Sequence, residues 1–137
     1  MIAVYKTNKA DGSEIQEYLR SAKKRIHSAE ILFEAEEYRD AVSRAYYAFF
    51  DAASALLLTE GIVAKTHSGL IALFGLHFIK KNKMKSKFAT LFKRAKEARE
   101  EADYEIFKKF SKETTEDIIK TAKEFIKEVK SLINKEQ

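Results

Sequence analysis

The stretch YRDAVSRAYYAFFDAASALLL, residues 38 to 58, constrains the fold more than any other. Ala41, Val42, Ala45, Tyr46, Ala48, Phe49, Ala52, Ala53, Leu56 and Leu57 recur at helical spacing and cover most of a helix circumference. A helix apolar nearly all round is buried, so this one sits at the centre of whatever the chain builds. Gly61 stops it just after Thr59. Its polar side chains fall in one stripe, Asp40, Arg44, Tyr47, Asp51 and Ser54, at steps of three and four. Such a stripe on a central helix faces a cleft or pairs with polar groups on a neighbour.

The rest of the chain supplies helices to surround it. There is no proline among 137 residues and only four glycines, so few breakers interrupt helical runs. Ile15, Tyr18, Leu19, Ala22, Ile26, Ala29 and Phe33 mark a first helix beginning near Ser13 and fading at Glu34 to Glu37. A short third helix runs from about Ser68 to Ile79, with Thr66, His67 or Ser68 as its cap. A fourth spans about Ser86 to Glu105, with Phe88, Leu91, Phe92, Ala95, Ala98 and Ala102 inward. The fifth begins near Ser111 or Thr114, and Ile118, Ala122, Phe125, Val129 and Leu132 form a bundle-packing stripe. The expectation is an all-α, up-and-down bundle of five helices: residues 1–12 as an N-terminal tail without periodicity, residues 13–137 as a single domain.

Composition narrows the function. Without cysteine there are no disulfides or thiolate metal sites, which suits a cytoplasmic protein. The longest apolar run carries Asp51 in its middle and is too short to span a bilayer, so no membrane association is expected. No Glu-x-x-His pair serves a di-metal bundle site, and no glycine-rich phosphate loop is present. We expect no metal and no cofactor. The charge balance is 26 basic against 21 acidic residues, and residues 80–96 hold eight basic residues and no acidic one. That segment reads either as a phosphate-contacting patch or as a solvated lysine-rich loop and helix start.

The fourth helix carries an anomaly. Arg99 falls on the apolar stripe, and Asp103 follows four residues later on the same face. Tyr104 lies well round the helix, and joins Arg99 only where the helix ends or where a second chain contributes. Two readings stand open. One is a buried ion pair, with Asp40, Arg44 and Asp51 of the central helix as partners. The other is an anion-binding cleft in which Arg44 and Arg99 act as phosphate forks. His67, near a helix start, is either a local cap or a further anion contact. Tyr46 reads as core, His27 and His77 as surface or edge.

The segments YRDAVSRAYYAFFDAASALLL, KTHSGL, AREEADYE and the Ser-Lys-Glu start of a last helix with AKEFI occur in that order. Together they resemble a HEPN domain, specifically the small stand-alone prokaryotic branch, over roughly residues 13 to 133. The resemblance implies a four-helix-bundle-like fold of five helices and often a homodimer. It implies a minimal nucleotidyltransferase as partner in a toxin–antitoxin pair, and binding of nucleotide or RNA. Active members are metal-independent ribonucleases with an arginine followed, four to six residues on, by a histidine. Here Arg99 matches the arginine, but residues 100 to 110 contain no histidine and Tyr104 takes that place. A tyrosine of ordinary pKa stays protonated at neutral pH and is a poor base. The expected function is therefore a HEPN-like module that pairs with a minimal nucleotidyltransferase in a toxin–antitoxin-type system and binds nucleotide or RNA. The alternative is a metal-independent ribonuclease using Arg99 with Tyr104 or His67. Candidate site residues are Arg99 and Tyr104 for catalysis and Arg44, Tyr47, His67 and Asp103 for ligand binding, with Asp40 and Asp51 in support.

Overall fold

A computed structural model describes residues 4–6 and 12–135, and the apolar stretch forms its central helix. The elements run β1 (Val4–Lys6), α1 (Gly12–Glu34), α2 (Tyr38–Leu58), β2 (Ile62–Ala64), α3 (His67–Phe74), a π-helical turn (Gly75–Ile79), α4 (Lys87–Tyr104) and α5 (Lys112–Lys135). Helix α2 touches α1, α3, α4 and α5, and α1 also packs on α5. Thirteen of the 21 residues of α2 are buried, so the helix has almost no solvent face.

Local chemistry explains the joints. Helix α1 ends in a Schellman-type turn, in which Glu36 N–H donates to Phe33 O (3.0 Å) and Glu37 N–H to Leu32 O (2.8 Å). Glu36 occupies the left-handed region at φ 61° to make that reversal, and α2 begins at once. Gly61, at φ 71°, turns the chain out of α2 as its sequence position implied. Thr66 caps α3, its hydroxyl accepting from Gly69 N–H at 2.9 Å. Ser111 does the same for α5, accepting from Thr114 N–H at 3.0 Å.

Where α2, α4 and α5 meet, Phe125 lies 5.2 Å from Phe49, 5.4 Å from Phe74, 5.8 Å from Phe88 and 5.9 Å from Phe92, measured between ring centroids. These rings lock the far side of α2 and leave its polar stripe facing α1 and the last turns of α4.

The all-α expectation holds, with two additions. Residues 1–12 are not wholly without secondary structure, because β1 pairs antiparallel with β2 in the register Val4↔Ala64, Tyr5↔Val63, Lys6↔Ile62. The third helix does reach Ile79, but its last five residues widen into a π turn.

Candidate functional site

Helix α2 presents Tyr46, Tyr47 and Phe50 toward the start of α3, and His67 fills the space between them. Its ring stacks on Tyr46 (5.7 Å, 15°), meets Tyr47 edge-on (6.0 Å) and lies 4.6 Å from Phe50. The Tyr46 hydroxyl is 2.7 Å from His67 Nδ1. That hydroxyl can donate to Nδ1 or accept from an Nδ1–H, so the bond persists whichever ring nitrogen carries the proton. Burial, then the neighbouring Arg99 and Lys96, hold the imidazole below its ordinary pKa, with Glu100 opposing weakly. Burial pushes the Tyr46 phenol well above its ordinary value, so it keeps its proton. The pair is neutral at pH 7.

Arg99 comes from α4 onto the same rings. Its guanidinium carbon is 5.3 Å from the Tyr46 centroid and 5.8 Å from that of Tyr47. Stacking on aromatic faces offsets part of the cost of withdrawing a guanidinium whose side chain is only 15% exposed. Nη1 donates to Asp103 at 2.7 Å, as the four-residue spacing implied. Its Nε is buried and has no hydrogen-bond partner. One turn earlier, Lys96 pairs with Glu100 at 2.6 Å, which holds the Glu100 carboxyl below its usual range.

The third contributor is α1. The carboxylate of Asp51 is buried and accepts from Ser21 Oγ at 2.5 Å and from Arg25 Nε at 3.3 Å. Arg25 also lies over Tyr47, 5.4 Å from its centroid. The structure thus corrects the expected partners of Arg99. Asp51 is neutralised from α1, not from α4, and Arg99 pairs with Asp103. Asp40 and Arg44 are exposed at the N-terminal end of the stripe.

Of the candidate residues, Tyr47, His67, Arg99 and Asp103 come together in one place. Tyr104 does not join them. Helix α4 ends on it, and its side chain is 79% exposed. Beyond it the chain is held by Arg39 of α2, which donates to the carbonyls of Ala102, Glu105, Ile106 and Lys108. This clamp displays Ile106 at 80% and Phe107 at 92% exposure. Sequence reasoning missed Tyr46, Ser21, Arg25 and Arg39 as contributors. The lysine-rich loop is partly engaged: Lys83 pairs with Glu60 at 3.1 Å and lies over Phe78, while Lys87 lies over Phe88.

The architecture defines a class first: an all-α bundle in which an arginine near the end of α4 meets a tyrosine–histidine pair on the central helix and the start of α3. The chain belongs to the HEPN domain family, whose model matches residues 15–132. It is 38% identical over 126 residues to "Putative toxin MJ0605" of Methanocaldococcus jannaschii, covering 92% of this chain and 93% of that one. A UPF0332 protein of Thermotoga maritima is 34% identical over 119 residues, 87% of this chain and 90% of its own. "Putative toxin MJ0142" of Methanocaldococcus jannaschii is 34% identical over 120 residues, 88% of this chain and 82% of that one. No described helix is long and apolar enough to cross a membrane.

Proposed function

We propose that this protein is a toxin-like HEPN module whose Arg99–His67–Tyr47 cluster holds a phosphate-bearing ligand, a nucleotide or an RNA strand. The observation that supports this most is Arg99 itself. A guanidinium on two tyrosine rings whose carboxylate partner, Asp103, takes only one Nη has Nη donors to spare, and a phosphate is the ligand that uses them best. His67 adds a neutral ring N–H within the same cluster, and exposed Arg44 extends the positive rim outward. The proposal includes a cytoplasmic homodimer joined through the clamped Tyr104–Phe107 loop, because fixed and nearly bare apolar side chains mark an interaction surface. It also includes a minimal nucleotidyltransferase as partner, in keeping with the toxin names of two relatives. The test is binding of a labelled oligoribonucleotide and of ATP to the wild type and to Arg99→Gln. Loss of about tenfold or more in the variant is expected for a charge-assisted contact, and equal binding refutes the reading.

A second reading has one observation in its favour. If the protein cleaves RNA without metal, the 2.7 Å Tyr46–His67 bond points to His67, not Tyr104, as the proton-transfer group beside Arg99. Cleavage in EDTA by the wild type, retained in Tyr104→Phe and lost in His67→Ala, is the expected pattern. Loss in Tyr104→Phe alone contradicts it.

A further inference from the structure

Tyr47 has a guanidinium from each of two helices against its ring. Arg99 approaches from α4 at 5.8 Å and Arg25 from α1 at 5.4 Å. Two like charges converging on one half-buried ring repel each other, so something beyond the ring is expected to make the arrangement useful. Each is restrained by a carboxylate, an exposed one for Arg99 and a buried one for Arg25. Asp103 takes one Nη of Arg99, and Asp51 takes the Nε of Arg25. The contact to Asp51 leaves both Nη atoms of Arg25 without an acceptor among the described residues, and its side chain is 36% exposed. Arg25 is therefore anchored through Nε, with its guanidinium over Tyr47 and its side chain partly exposed. A fork in that state is suited to bidentate recognition of an oxyanion. Ser21 completes the anchor by donating to the same Asp51 oxygen.

We infer that Arg25 is a second phosphate-binding residue and that the ligand presents two phosphate groups, one to Arg99 and the next to Arg25, with Tyr47 as the spacer between them. This rests on the phosphate-binding reading above. The paired phosphates are those of adjacent nucleotides in an RNA strand or of a nucleoside diphosphate. Because both groups that meet the ligand are cations and not donors to a base edge, the site reads backbone charge and not the base. Asp51 and Ser21 are positioning residues that act through Arg25.

The test is fluorescence anisotropy with a short labelled oligouridylate over a series of salt concentrations, with ADP and AMP as competitors. The proteins are the wild type, Arg25→Gln, Arg25→Lys, Arg99→Gln, and Arg20→Gln as a charge-matched control on the exposed face of α1. Arg25→Gln is expected to weaken oligonucleotide binding about tenfold and to lower the salt slope by about one. Arg25→Lys keeps the charge and the Asp51 pair but loses the fork, and is expected to weaken binding about threefold; it serves if the glutamine variant fails to fold. Displacement by ADP but not AMP assigns the phosphates to a nucleotide, and displacement by neither assigns them to a strand. Wild-type binding by both Arg25 variants alongside loss in Arg99→Gln overturns the role of Arg25 and leaves Arg99 as a ligand residue. Absence of binding by the wild type overturns both.

Discussion

Tyr46→Phe removes one oxygen atom from the centre of the cluster. The ring has no exposed surface and keeps every aromatic contact: Tyr47 at 5.3 Å, Phe50 at 6.4 Å, Phe92 at 6.1 Å and His67 at 5.7 Å. The Arg99 guanidinium keeps its face contact as well. No cavity larger than the oxygen is made, so the change isolates the 2.7 Å bond to His67 Nδ1. A neutral hydrogen bond is worth about 1 kcal/mol net, and a stranded buried acceptor costs about 1–3 kcal/mol. His67 is only half-buried and can rotate Nδ1 toward water, so the lower end applies. The expected loss is about 1–1.5 kcal/mol, or about 3–6 °C in Tm for a domain of this size. Chemical denaturation gives the free energy, and the ¹⁵N shift of His67 Nδ1 reports whether that nitrogen has lost its hydrogen-bond partner. A loss under about 0.3 kcal/mol with unchanged imidazole shifts means the bond contributes nothing, and the argument for His67 as a fixed group fails.

Other outcomes follow from the same geometry. The folded state holds His67 below its ordinary pKa of about 6.5, so the unfolded chain binds the proton more readily. The stability that His67 contributes is full above about pH 6.5 and falls as pH drops through the lowered value. Melting from pH 8 to pH 5 is expected to show that fall in the wild type and less of it in His67→Gln. Phe107→Ser, at a nearly bare side chain, is expected to leave the protomer folded and convert a dimer to a monomer by light scattering, removing any concentration dependence of Tm; a dimer in both places the interface elsewhere. Arg39→Ala removes the donors to four carbonyls, and is expected to cost about 2 kcal/mol and to speed amide exchange in residues 105–110 selectively.

Much of this was legible in the sequence, and the reason lies in periodicity. Helical spacing located the five helices within a residue or two at most ends, and the all-round apolar pattern of α2 placed it at the centre. The Arg99–Asp103 pair was legible because four residues is a helical contact distance. The β1–β2 ribbon was not, since three-residue strands carry too little pattern to separate from loop. Arg39 gave no signal either: its partners are backbone carbonyls more than 60 residues away, and no side-chain type records that. Arg25 is a different case. A buried carboxylate at Asp51 demands a cation, and the adjacent helix in sequence was a natural source. Ser21 and Arg25, four apart at the border of the apolar face of α1, were the pair to look for. Tyr46 read as core and is core, but its hydroxyl also fixes a histidine, a double role that apolar patterning hides.

The central claim is that Arg99 and His67 hold the ligand together. It is tested most directly by titrating the protein with an oligoribonucleotide and following the Arg99 Nε–H and His67 ring resonances by NMR. The account predicts that both move with the same binding curve, because the unpaired Nε and the imidazole share one cluster, while exposed His27 stays still. Binding that shifts residues 80–96 and leaves Arg99 and His67 untouched contradicts it.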